Sequence, residues 1–239
     1  MRVALISDVH LVGDPSDADD AETQRALVAW LDALNVDQLC ILGDLFHHWW
    51  GHPGVVPSGL VPTCAALLRV RARGIGLTIV PGNHDFALGP FFHRDLDAQV
   101  RGPHVLTVDG RQFLLAHGDE ADRSVGYRVT RATLRSTAFA GLMRVLGPRA
   151  GDRLLSRLAG HSRAHPANPG PLRQRQQDWA LQHIHNGVDC VIVGHVHAPG
   201  SAAVGGGTVV HLGGWGVDRT WCLIDGGVPR LLKGPDPAG

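Results

Sequence analysis

The sequence predicts an α/β protein (α+β where its antiparallel parts are weighted more heavily): a two-layered β-sandwich core flanked by helices, with one helical insertion. Three observations lead there. Short continuous apolar runs at 3–6, 38–42, 76–80 and 190–193 alternate with helical patterns, as strands buried on both faces do. Asp109-Gly110 between two apolar runs is a strong hairpin signal. Residues 121–165 then break the alternation with helical stretches of a different composition. At 239 residues the chain suits one domain, 1–239, with 121–165 inserted as a cap.

Residues 3–6 form the first predicted strand, and an acidic stretch, 14–22, leads into a helix whose apolar face is Ala26, Leu27, Trp30, Leu31 and Leu34. The strand 38–42 follows, then an aromatic, Gly- and Pro-rich loop over 46–62 that contains His47, His48, Trp49, Trp50 and His52. A helix is expected over 63–73, a strand over 76–80, and a hairpin from 105–108 and 112–116. Within the insertion two helices are expected, 124–146 and 150–160, separated by Gly147-Pro148. Residues 166–171 read as a breaker-rich linker and 173–185 as a helix returning the chain to the strand 190–193. Short strands near 201–204, 207–212, 220–224 and 228–232 suggest an antiparallel closing sheet. There is no internal repeat and no low-complexity tail.

Formal net charge is zero, so the whole molecule has no electrostatic case for nucleic acid, and no long stacking track supports one. The four cysteines are scattered singly and include no CxxC pair, which suggests buried free thiols in a reducing compartment. The opening runs directly into a strand, and no apolar stretch is long enough to span a bilayer. A soluble, cytoplasmic protein is expected, with a monomer favoured.

Chemistry concentrates where the apolar runs end. Asp8-Val9-His10, Gly43-Asp44, Gly82-Asn83-His84-Asp85, His117-Gly118-Asp119 and Gly194-His195-Val196-His197 each follow a predicted strand. The C-terminal edge of strands is where an open α/β sheet binds ligands. Each motif alone is weak, because a single His or Asp at a strand end is usually a satisfied structural residue. Five in succession point to a metal site, and mixed carboxylate, amide and imidazole donors suit Mn²⁺, Fe²⁺ or Zn²⁺ better than Mg²⁺ or Ca²⁺.

This series resembles the calcineurin-like metallophosphoesterase superfamily, whose blocks cover most of the chain and are specific as a set. The resemblance implies the two-layered fold of that family and two divalent metals, Mn²⁺ first. It implies Asp8, His10, Asp44 and His197 around one ion, and Asp44, Asn83, His117 and His195 around the other, with Asp44 bridging. Such ions sit about 3.5–4 Å apart and activate water for in-line attack on phosphorus. His84 stands beside the ligands as a donor to the phosphoryl or leaving oxygen. Asp85 either orients His84 or stabilises its loop.

A finer resemblance is to the UDP-2,3-diacylglucosamine pyrophosphohydrolase family of lipid A biosynthesis. It rests on Gly43-Asp44-Leu45-Phe46 with the following Trp and Gly51, on His117-Gly118-Asp119 with Tyr127-Arg128, on the Arg-rich insertion ending Ser162-Arg163, and on Gly194-His195-Val196-His197-Ala198-Pro199 and Gly213-Gly214-Trp215. It implies cleavage at the α-phosphate to UMP and 2,3-diacylglucosamine 1-phosphate by an enzyme peripheral to the inner face of the inner membrane. Members commonly carry Arg where His84 stands and Asp where Gly214 stands, which suits a divergent branch. Within 121–163 there are nine arginines against Asp122 and Asp152. With the apolar residues among them they make either an acyl-chain and phosphate cap or a helical hairpin packed on the core. Tyr127, Arg157 and Arg163 are the candidate substrate contacts, and Trp49 and Trp50 either pack their loop or meet a nucleobase. The alternatives are hydrolysis of a soluble nucleotide or another phosphodiester at the same site, or a non-catalytic scaffold. Every motif ligand is present, which argues against the scaffold.

Overall fold

The computed structural model describes residues 1–159 and 169–234, and all side chains there except those of residues 149, 152 and 156–159. In chain order the strands are β1 (Val3–Ile6), β2 (Gln38–Leu42), β3 (Gly76–Val80), β4 (Gln99–Val100), β5 (His104–Val108), β6 (Arg111–Ala116), β7 (Cys190–Val193), β8 (Gly200–Val204), β9 (Gly207–His211), β10 (Thr220–Asp225) and β11 (Val228–Lys233). The helices are α1 (Ala18–Ala33), α2 (Val61–Ala72), α3 (Val125–Leu134), α4 (Thr137–Ala159), α5 (Gly170–Ile184) and the short α6 (Trp215–Asp218).

Two sheets pack face to face, in the orders β11-β10-β1-β2-β3-β4 and β5-β6-β7-β9-β8. Their parallel cores, β1-β2-β3-β4 in one and β6-β7-β9 in the other, explain the unbroken apolar runs, since each strand is covered on both faces. Val3, Leu5, Cys40, Leu42, Val80, Phe113, Leu115, Cys190, Ile192 and Cys222 form the layer between the sheets. The outer face of the first sheet is covered by α1 and α2 through Leu27, Trp30, Leu31, Ala66, Leu67 and Val70. On the second sheet the outer face is covered by α5 through Ala180 and Ile184. All four cysteines are free and buried. Among the described residues no helix is long and apolar enough to cross a membrane.

Several boundaries differ from expectation. The second half of the acidic stretch belongs to α1 itself: Asp17 caps it by accepting from the Asp19 and Asp20 backbone amides, and carboxylates suit that positive end. The last four strands do not form a separate closing sheet. The β8–β9 hairpin extends the second sheet, with β9 parallel to β7, and the β10–β11 hairpin joins the first sheet antiparallel to β1. Local alternation cannot reveal this, because either sheet offers the hairpin an edge.

The insertion also differs. The helix expected over 124–146 is broken at Arg135 and Ser136, where the Ser136 hydroxyl accepts from the Phe139 amide and starts a new helix. The break at Gly147-Pro148 is present, with Gly147 at φ 71° inside α4. Of the insertion's apolar residues, Met143 and Leu155 are buried and Val125, Val129, Leu142, Val145 and Leu146 are exposed. Neither a fully packed hairpin nor a wholly open groove describes it.

Candidate metal centre

The candidate ligands gather from both sheets at one end of the sandwich. Asp8 and His10 follow β1, Asp44 follows β2 and Asn83 follows β3, while His117 follows β6 and His195 and His197 follow β7. Asp8, His10, Asp44 and His195 all take positive φ, between 54° and 65°, and make up four of the seven such non-glycine residues among the described residues. That left-handed backbone costs a side-chain-bearing residue of order 1–3 kcal/mol and concentrates at functional sites. Here it turns each chain back over the strand end, so that its side chain points into the centre. Gly82 has a different reason: a Cβ there would collide with the Asp44 carboxylate.

The candidate ligands form two clusters, with a third grouping of His10, His47 and His84 beside them. In the first, His197 Nε2 lies 3.3 Å from Asp8 Oδ1 and 3.3 Å from His10 Nε2, and His10 Nε2 lies 3.8 Å from Asp44 Oδ2. In the second, His117 Nε2 lies 3.0 Å from Asn83 Oδ1 and 3.5 Å from Asp44 Oδ2, and His195 offers a nitrogen to the same group. Asp44 belongs to both. Donors about 2.1 Å from one ion in octahedral or tetrahedral geometry stand about 3.0–3.4 Å from each other, close to the observed spacings.

Protonation supports a cation in this space. The His117 Nδ1–H donates to the Leu42 carbonyl at 2.8 Å, which leaves its Nε2 lone pair facing the Asn83 and Asp44 oxygens. Three acceptors converging with no hydrogen between them need a positive charge. Without a cation a proton on Nε2 takes that place: although burial alone would depress the His117 pKa, Asp44 raises it well above the usual imidazole value, which shows the pull of this pocket on positive charge. Burial works against ionising Asp8 too, yet His10 and His197 hold its carboxyl well below the ordinary range. For His195, burial and the neighbouring His117 push the ring down to about 4, so it is a neutral donor at neutral pH. These residues therefore fit the divalent ions the sequence called for.

His84 and Asp85 adopt roles only partly expected. The His84 amide donates to Asp44 Oδ1 at 2.9 Å, and its ring stands 5.0 Å from that of His10, beside the clusters. Asp85 does not orient that ring. Its carboxylate is fully buried and accepts from the Asp44, Leu45 and Gly82 amides at 3.1, 2.8 and 2.9 Å. The His84 Nδ1–H instead donates to the His47 carbonyl at 2.8 Å. Asp85 is the loop-stabilising carboxylate of the two alternatives, because its oxygens are taken up by the turn that carries Asp44.

Beside the centre a cavity of about 520 Å³ opens from His47, Asn83 and His84 and runs beneath the insertion. Phe86, Val129, Leu134, Phe139 and Leu155 give it apolar walls, and Arg131 and Arg135 reach it. Arg135 Nη2 donates to the Gly82 carbonyl at 3.1 Å, next to Asn83. Tyr127 also lines the cavity, but its hydroxyl donates to the buried Asp119 carboxylate at 2.6 Å, which pairs with Arg131 at 2.9 Å. The Arg157 side chain and all of Arg163 lie outside the described residues. Trp49 packs its loop, stacked on Phe46 and donating to the Leu88 carbonyl, and Trp50 sits against Gly151 of the cap. Arg135 was one of the nine insertion arginines with nothing in the pattern to single it out, and the anchoring role of His47 towards His84 lies in its backbone. The doubled His47-His48 after a ligand strand was the one available hint.

The sequence comparisons agree with this geometry. The model of the calcineurin-like phosphoesterase family matches residues 1–199. The UDP-2,3-diacylglucosamine hydrolase of Porphyromonas gingivalis is 30% identical over 219 residues, covering 82% of this chain and 83% of that protein. The protein of the same name from Xanthomonas campestris is 31% identical over 236 residues, covering 90% and 92%. Among solved structures, an archaeal phosphodiesterase superposes with a TM-score of 0.51 at 14% identity, covering 98% of this chain and 99% of that one, a likeness of fold alone. A family match across both ligand-bearing sheets, read with a centre that demands cations, leads to one assignment: the chain belongs to the calcineurin-like phosphoesterase family and is a metal-dependent hydrolase of phosphoric esters or anhydrides.

Proposed function

We propose that this enzyme cleaves the pyrophosphate of UDP-2,3-diacylglucosamine at the α-phosphate, giving UMP and 2,3-diacylglucosamine 1-phosphate. The observation that carries the reading is the cavity. It joins Asn83 and His84 of the centre to an apolar wall of Phe86, Val129, Leu134, Phe139 and Leu155, with arginines at the junction. An acylated sugar diphosphate has that same division, a dianionic bridge next to hydrocarbon. The names of the curated relatives support the same substrate.

In this reading residues 1–239 form one catalytic domain and 121–165 its cap. Asp8, His10, Asp44 and His197 hold one divalent ion and Asp44, Asn83, His117 and His195 the other; the mixed donor set suits Mn²⁺, Fe²⁺ or Zn²⁺, with Mn²⁺ the first choice by family resemblance. Bound there, the pair supplies Lewis acidity and an activated water. Asp44 fixes the spacing of the two ligand groups, and Asp85 holds the Asp44 turn through three amides. His84, its Nδ1 tied to His47, turns Nε2 towards the reacting phosphoryl group and donates to it once protonated. Arg135 binds a phosphate oxygen from the cap side, Arg157 and Arg163 complete the phosphate contacts, and Tyr127, its hydroxyl hydrogen held by Asp119, offers its ring to the sugar. The exposed Val125 (76%) and Val145 (88%) on the same insertion, near Arg128 and Arg144, suit a monomer that rests on an anionic membrane surface.

The test is product analysis with UDP-2,3-diacylglucosamine and Mn²⁺, run beside UDP-N-acetylglucosamine and bis-p-nitrophenyl phosphate. UMP from the acylated substrate alone, abolished in Asp44→Ala, is expected. Turnover confined to the generic diester, or equal turnover of the unacylated sugar nucleotide, would reject the lipid substrate and leave the two-metal chemistry standing.

A further inference from the structure

Gln176 is a fully buried amide on α5, the helix that covers the outer face of the second sheet with apolar residues. An amide in such a layer is costly unless bonded, and this one is bonded through both its nitrogen and its oxygen. Its Nε2 donates to the Gly118 carbonyl at 3.3 Å and to the Gly194 carbonyl at 3.0 Å. Gly118 directly follows His117, and Gly194 directly precedes His195. The two motifs are also joined to each other, since the Gly194 amide donates to the His117 carbonyl at 2.8 Å. Gly118 lies at φ 109°, and a Cβ there would collide with Gln176 Nε2, so the approach requires glycine.

The amide cannot turn over. Its Oε1 accepts from the His211 Nδ1–H at 2.9 Å, and His211 is buried at the end of β9, beside β7. With the ring donating to Oε1, the two amide hydrogens are left for the two glycine carbonyls. Burial and the nearby Arg173 hold the His211 pKa down to about 4, which keeps one proton on the ring across the neutral range.

We propose that Gln176, oriented by His211, is a positioning residue: it locks the backbones behind His117 and His195 together and thereby sets the affinity of the metal site those two imidazoles share with Asp44. This inference rests on the ligand assignment of the preceding subsection. Partners that orient ligands in this way typically affect metal affinity by about 10–100-fold.

The experiment is equilibrium dialysis of the full chain against graded Mn²⁺ with metal counting, for wild type, Gln176→Met and His211→Asn. Methionine keeps the volume and removes the hydrogen bonds. Two ions per wild-type chain are expected, with one of them bound at least tenfold more weakly in Gln176→Met and less severely so in His211→Asn. Excess Mn²⁺ should restore kcat at unchanged KM. The melting temperature of the metal-free proteins separates packing from positioning: a lower Tm with both affinities unchanged overturns the proposal. If Gln176→Met fails to fold, unchanged affinities in His211→Asn overturn it. A wild type that takes up fewer than two ions overturns the ligand assignment itself, and this inference with it.

Discussion

His84 is anchored by the backbone of His47, its Nδ1–H donating to that carbonyl at 2.8 Å, while the adjacent Asp85 is engaged elsewhere. The tautomer is thereby fixed with Nε2 towards the cavity, and burial lowers the pKa of the ring, so it is neutral before an anion arrives. His84→Ala is expected to reduce kcat on the sugar nucleotide by about 10²–10³-fold with metal content unchanged. The loss should be comparable on bis-p-nitrophenyl phosphate, because a sugar phosphate and p-nitrophenolate both depart without a proton and His84 donates to the phosphoryl oxygen that the two substrates share. A raised KM with kcat unchanged would make His84 a ground-state binding group instead.

Asp85 predicts a stability effect. Asp85→Ala leaves three buried amides without an acceptor and should destabilise the protein by about 3–5 kcal/mol in urea unfolding. Since one of those amides belongs to Asp44, the variant should also lose Mn²⁺. A change under about 1 kcal/mol would mean that water replaces the carboxylate easily.

Arg135 is exposed, yet it is tethered to the Pro81 and Gly82 carbonyls at the cavity mouth. If it meets the diphosphate, Arg135→Ala should lower kcat/KM for the sugar nucleotide by about 10–100-fold, the worth of a hydrogen bond to a charged group. Metal binding should be unaffected. An unchanged kcat/KM would reduce the guanidinium to a tether for the turn.

His211 contributes a pH dependence whose sign is definite. Its folded pKa of about 4 lies below the unfolded value of about 6.5, so between those values the unfolded chain binds more protons. Its stabilising contribution is complete above about pH 6.5 and is lost as pH falls towards 4, by on the order of 3 kcal/mol in all. Urea midpoints of wild type and His211→Asn should therefore converge as the pH is lowered through that window. Parallel curves would show that His211 does not titrate in it.

The convergence of the candidate ligands was readable because each sits directly after a short apolar run, and parallel strands deliver their ends to one edge. Asp8, Asp44 and His117 needed no long-range information beyond that. What was hidden acts through the backbone or across distance. The hold of His47 on His84 uses a carbonyl that any residue would supply, and Gln176 is one polar residue in a helix with no pattern to single it out. The break at Ser136 was missed because a serine that caps a helix looks, in a window of mixed polar residues, like one exposed on it. The β10–β11 hairpin was recognised as a hairpin, but its sheet depends on which distant edge stands open.

That edge has a consequence for the order in which the molecule is made. Val3 pairs with Ile224, so during synthesis from the N-terminus β1 emerges long before the strand that becomes its outer neighbour. Until then β1 and β2, with Asp8 and Asp44 already at their ends, present a bare apolar strand edge of the kind that recruits other chains. The nascent protein thus carries a vulnerable interval set by its topology, and a chain cut short before β10 would keep that edge open for good.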